Sequence, residues 1–229
     1  MNNILDYLNK GISDLNPYEP GRSIDAVVAE YKPERVVKLA SNENPLGPSP
    51  KAIEALSNNA NDLHLYPDGD SKKLKLLIAE HESLDVSNII VGNGSNEVLE
   101  LAARAFLNKE SSALMSKHAF AVYKIVAQSN GSKIIEVPTI NWGHALENFH
   151  SHLDDSTRVC FVANPNNPTG TYNSHNEFDL MMEKIPSSVL VILDLAYFEY
   201  VQEDDYVDTN ILLSKYSNLL ITKTFSKIQ

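Results

Sequence analysis

The sequence predicts an α/β fold in which a mostly parallel sheet is covered on both faces by helices. Short apolar runs alternate with helix-patterned segments along most of the chain. The runs are continuous rather than alternating, as over residues 189–193, which is how strands buried on both faces read. Turn-forming and polar clusters directly follow several of these runs, and open parallel sheets bind ligands at the carboxyl ends of their strands.

The elements follow in order. Residues 1–35, with Pro17, Pro20 and Pro33, read as an N-terminal arm, extended apart from a short helix over Ile24–Tyr31. Residues 36–229 read as the domain proper. Residues 41–50 hold three prolines and one glycine, the composition of an ordered loop. A helix is expected over 50–58 with proline at its start. Another is expected over 71–82, with Leu74, Leu77 and Ile78 on one face. Residues 88–91 read as a strand, 92–95 as a turn and 96–107 as an apolar helix. Strands are expected over 112–116, 133–137, 158–163, 189–194 and 219–222. Helices are expected over 120–130 and 177–184.

The bulk properties narrow the function. The chain has 229 residues and a net charge of −11, a surface that repels nucleic-acid backbones. Cys160 stands alone, so no intrachain disulfide forms. The first ten residues lack the basic and apolar regions of a secretory signal. No apolar run reaches the roughly 20 residues of a membrane helix. A cytoplasmic protein without a metal site is expected.

Five segments carry the candidate chemistry. Gly92, Asn93, Gly94, Ser95 and Asn96 form a glycine turn opening a helix, which suits a phosphate and equally serves as a plain turn. Glu97 breaks the dinucleotide-binding glycine pattern. Phe120, with Tyr123, is placed either to stack on a flat ring or to pack in the core. Asn164 to Gly170 contains two X-Pro steps that favour extended backbone and can hold an amide in a fixed place. Asp194 ends a buried strand, where an acid is costly without a partner; it serves either as a cap or as the counter-charge to a cationic ring. Thr222 to Lys227 places a lysine and hydroxyls after the last strand.

Asn164-Pro165-Asn166-Asn167-Pro168-Thr169-Gly170, then Asp194-Leu195-Ala196-Tyr197, then Thr224-Phe225-Ser226-Lys227 resemble the fold-type I pyridoxal-phosphate (PLP) aminotransferases. Residues 38–47, 65–68, 15–18 and 92–97 resemble the histidinol-phosphate aminotransferase branch, and the likeness covers about residues 8–228. It implies a three-layer αβα large domain with PLP as cofactor. Lys227 would bond the PLP aldehyde and act as the general acid/base. Asp194 would pair with the ring nitrogen, Phe120 would stack on the ring, and Asn167 and Tyr197 would bond its phenolic oxygen. Ser95, Asn96, Thr224 and Ser226 would hold the phosphate, and Tyr66 would reach the phosphate of a neighbouring subunit in a homodimer. Tyr18 and Asn42 would lie near the substrate.

The implied reaction passes an amino group between an amino donor and a 2-oxo acceptor, histidinol phosphate and 2-oxoglutarate. An aromatic aminotransferase or a threonine-phosphate decarboxylase is the alternative within the class. A non-catalytic remnant is the alternative outside it. Asn96, Phe120 and Leu195 stand where the family often has Asp, Tyr and Glu. In the family, a phosphate-binding arginine, a further strand and a small C-terminal domain follow the lysine. The chain is therefore expected to be a truncated piece of the large domain. The missing strand would lie between residues 88–91 and 218–222, leaving open sheet edges.

Overall fold

The computed structural model describes residues 4–8, 10–16, 18 and 21–228. Pro17 and Pro20 of the expected arm lie outside them. Helices α1 (Lys10–Ser13), α2 (Ile24–Tyr31), α3 (Pro50–Asn59) and α4 (Lys72–Glu82) precede the sheet. Then come α5 (Ser95–Phe106), β1 (Ser112–Ser116), α6 (Ala121–Ser129), β2 (Lys133–Val137), α7 (Phe149–His152) and β3 (Thr157–Ala163). The chain continues through α8 (His175–Met182), β4 (Leu190–Asp194), α9 (Thr209–Lys215) and β5 (Leu219–Thr222). All strand pairings are parallel and the order is β2-β1-β3-β4-β5.

Period-two alternation divides the strand side chains between two cores. Ala113, Met115, Val159, Phe161, Ala163 and Ile192 pack against Leu99 and Ala103 of α5 and Tyr123 and Ala127 of α6. Leu114, Cys160, Val162, Val191 and Leu193 pack on the opposite side against Phe149 of α7, Phe178 and Met181 of α8 and Leu212 of α9. The fold is therefore a three-layer αβα sandwich. Burial raises the Cys160 thiol pKa, so the side chain stays protonated and acts as packing.

Local chemistry fixes the helix starts. Ser174 and Glu177 form a reciprocal capping box on α8, and the Asp208 carboxylate accepts from the first N–H groups of α9. Pro50 opens α3. The arm contains the short helix α1 where extended chain is expected. It lies on α6, where Gln128 Nε2 donates to the Asp14 carbonyl at 2.8 Å. Helices α7 and α9 were not expected from the sequence.

Two expectations need correction. Residues 88–91 form no strand: Val86–Asn88 is a 3-10 turn and Ile89 is extended. A strand needs a hydrogen-bonded neighbour, and among the described residues β5 pairs only with β4. The α4 face is only partly covered, with Ile78 half-buried. Leu74 is 41% and Leu77 55% exposed, and Ala79 is the buried residue of that helix.

Candidate active site

The strand register builds the floor of a cleft. Ala163, Asp194 and Thr222 pair in one row at the carboxyl ends of β3, β4 and β5. Asp194 is only 4% exposed. Its Oδ2 accepts from the Tyr123 hydroxyl at 2.7 Å and its Oδ1 from the Thr222 hydroxyl at 2.9 Å. Burial raises the Asp194 pKa, opposed by these two donors and the Ala196 backbone N–H. Burial and the adjacent carboxylate drive the Tyr123 phenol pKa well up, so the phenol remains a donor.

The turn after β4 brings Tyr197 over the floor. Its hydroxyl accepts from Asn42 Nδ2 at 3.0 Å and from Asn167 Nδ2 at 3.4 Å. The Asn164 side chain braces the loop that carries Asn167: Nδ2 donates to the Asn173 carbonyl, and Oδ1 accepts the Asn173 N–H, both at 2.9 Å. Lys227 Nζ lies 5.5 Å from the centre of the Tyr197 ring. Phe120 sits at the start of α6, edge-on to Tyr123 with ring centres 5.6 Å apart.

At the opposite wall Gly94 adopts φ +79, a left-handed conformation costly for other residues, and delivers the chain into α5. Ser95 and Asn96 are the first residues of that helix, whose leading N–H groups have no partner within it. Beyond β5, Thr224 Oγ1 accepts from the Ser226 N–H at 3.1 Å. Lys223 ties this loop down, bonding Glu82 of α4 at 2.6 Å and lying 4.2 Å from the centre of the Phe198 ring.

The cleft so formed measures about 860 Å³. Ser95, Asn96, Phe120, Asn167, Asp194 and Tyr197 line it. So do Thr224, Ser226, Lys227, Tyr18 and Asn42. A second cavity of about 610 Å³ adjoins it and shares Asn42, Pro165, Asn167 and Tyr197. Tyr66 is the one candidate outside the cleft, fully exposed in the connection between α3 and α4. Tyr123 and Thr222 lie within the candidate segments, but neither was expected to hold Asp194. Each had a signal: a phenol three residues after Phe120 on an apolar helix, and a hydroxyl ending a strand beside the one that ends in Asp194. No group of residues suited to a metal ion occurs among the described residues.

A family model described as aminotransferase class I and II matches residues 34–228. The chain belongs to this family. Among curated aminotransferases, it is 48% identical over 219 residues to histidinol-phosphate aminotransferase 2 of Pseudomonas fluorescens, covering 95% of this chain and 59% of that protein. It is 44% identical to the histidinol-phosphate aminotransferase of Bacillus subtilis, covering 96% of this chain and 61% of that one. The chain thus spans about 60% of the length of the curated aminotransferases it matches. A crystal structure of the Sinorhizobium meliloti histidinol-phosphate aminotransferase with pyridoxal-5'-phosphate superimposes with a TM-score of 0.85. At 22% identity, covering 96% of this chain and 59% of that one, it supports the fold.

Proposed function

We propose that the cleft binds PLP and that it serves transfer of the amino group of histidinol phosphate to 2-oxoglutarate. The observation that carries this is the buried Asp194 carboxylate, held by Tyr123 and Thr222 in one cleft with Lys227. The donor set fits the cofactor group by group. Asp194 offers negative charge to a protonated ring nitrogen, and the ordered amide of Asn167 with the phenol of Tyr197 suits the ring's oxygen. Phe120 supplies an aromatic face. Ser95, Asn96, Thr224 and Ser226 offer neutral donors to a phosphate at the start of α5.

When bound, PLP supplies an electron-accepting ring for the charge left as the substrate's Cα loses its proton. The chain's residues do the rest. Asp194 would keep the ring nitrogen protonated. Lys227 would hold the cofactor at its aldehyde carbon, and its Nζ would carry the proton from the substrate's Cα. Asn42 and Tyr18, with the adjoining cavity, leave room for the substrate on the open side. A homodimer belongs to the same proposal. The full exposure of Tyr66, and of Leu39 and Leu46 at 92% each, supports a covering partner. No helix of the described residues is long and apolar enough to cross a membrane, and a cytoplasmic setting is proposed with the rest.

The substrate reading is tested by adding PLP to the chain and following its visible absorbance band with different amines. Histidinol phosphate is expected to bleach a Lys227-dependent band faster than phenylalanine or threonine phosphate does. A band bleached best by phenylalanine or threonine phosphate would move the assignment to that substrate. A band that no amine bleaches would mean this chain is a non-catalytic remnant.

A further inference from the structure

We infer that Tyr123 is a positioning residue for the cofactor ring, fixing Asp194 through a hydrogen bond and backing Phe120 through ring contact. The inference rests on the PLP reading and adds to it a residue that would not touch the cofactor's reacting atoms. Tyr123 is fully buried. Its ring stacks on Phe161 with centres 4.8 Å apart and planes 11° apart, and it meets Phe120 nearly at right angles. Packed on both sides, the ring has little freedom, so its hydroxyl is aimed at one place. That place is Asp194 Oδ2, at 2.7 Å.

The carboxylate is thereby held at both oxygens, because Thr222 occupies Oδ1. A carboxylate gripped from α6 and β5 at once cannot turn in its plane, and each oxygen keeps capacity for a further donor such as a ring N–H. Tyr197 and Tyr206 lie near this pair, and Lys227 lines the same cleft. Thr222 holds Asp194 from the neighbouring strand. Tyr123 joins the acid to the aromatic wall, so one side chain couples the two groups that would grip the ring.

The test compares Tyr123→Phe, which keeps the ring and removes only the hydroxyl, with Thr222→Val and the parent chain. Carbon-13 NMR of aspartate-labelled chain without PLP follows the Asp194 carboxylate, recognised by its disappearance in Asp194→Asn. Loss of a donor to a charged group is expected to raise its titration midpoint by about one pH unit or more in Tyr123→Phe. With PLP added, the dissociation constant is expected to rise about tenfold and the visible band to shift. An Asp194 titration unchanged in Tyr123→Phe overturns the inference whether or not PLP binds. If the parent chain holds no PLP through Lys227, the cofactor reading fails and the carboxylate titration alone decides the placement of Asp194. Thr222→Val shows what losing the other donor does: a midpoint that moves there and not in Tyr123→Phe also overturns the inference.

Discussion

Tyr123 and Asp194, 71 residues apart in the chain, meet in a 2.7 Å hydrogen bond at the floor of the cleft. The bond joins a helix on one face of the sheet to the end of a central strand. It resolves the problem that a buried acid poses, since an unpartnered carboxylate would be driven to its neutral form.

That burial has a pH signature. The Asp194 pKa is raised in the folded chain, so the folded state binds this proton more readily than the unfolded one. The group's contribution is most favourable in acid and declines as pH rises through the carboxylate range. Asp194→Asn keeps the size of the side chain and abolishes this titration. Urea unfolding of both chains is expected to show Asp194→Asn gaining on the parent between acid and neutral pH. A constant difference across that range would count against a raised pKa.

Thr222→Val removes one donor to Asp194 with almost no change in shape. Near neutral pH, where a charged acceptor is left short of a partner, the loss is expected to cost about 1.5–3 kcal/mol in urea unfolding. In acid the cost should shrink, because a protonated carboxyl needs the donor less.

His144 gives a second, opposite pH dependence. It is buried, with Nδ1 2.7 Å from the Ser116 hydroxyl and Nε2 2.9 Å from the Ala163 carbonyl. Nε2–H therefore donates to the carbonyl. Burial lowers its pKa from 6.5 to about 4. The unfolded chain thus takes up this proton first as pH falls, and stability is lost between those values. The difference corresponds to about 3 kcal/mol. His144→Gln should flatten the fall in urea midpoint over this window, and an unchanged slope would place the loss elsewhere.

Gly94 provides a backbone test. A Cβ there meets no atom within 4 Å, so space is free, but φ of +79 disfavours any L side chain. Gly94→Ala is expected to cost about 1–2 kcal/mol in urea unfolding through strain alone. PLP should also bind more weakly, because the start of α5 is displaced.

The sheet was legible because its strands carry short continuous apolar runs, even in the edge strand β2, which also holds the exposed Lys133 and Glu136. Ser112–Ser116, Lys133–Val137 and Leu219–Thr222 lie where the sequence puts them. Residues 88–91 misled because an apolar run becomes a strand only when a neighbour accepts its hydrogen bonds, and that is a tertiary condition. Leu74 and Leu77 misled in the same way, since periodicity marks a face for burial without supplying what covers it. The spacing of Gly94, Phe120, Asn167, Asp194 and Lys227, one strand–helix unit or more apart, was enough to gather them at one sheet edge. Tyr123 was harder to assign, because a phenol on an apolar helix face reads as core until its acceptor is located in space. Helix α9 carries one short apolar run, Ile211 to Leu213, too brief to show a helical period, and the Asp208 cap opens it.

The central claim, that Lys227 and Asp194 share one cofactor cleft, is met most directly by chemical trapping. The chain is incubated with PLP, reduced with borohydride, digested and analysed by mass spectrometry. The account predicts a phosphopyridoxyl group on Lys227, absent in Lys227→Ala and much reduced in Asp194→Ala. Label spread over surface lysines and unaffected by either substitution would contradict it.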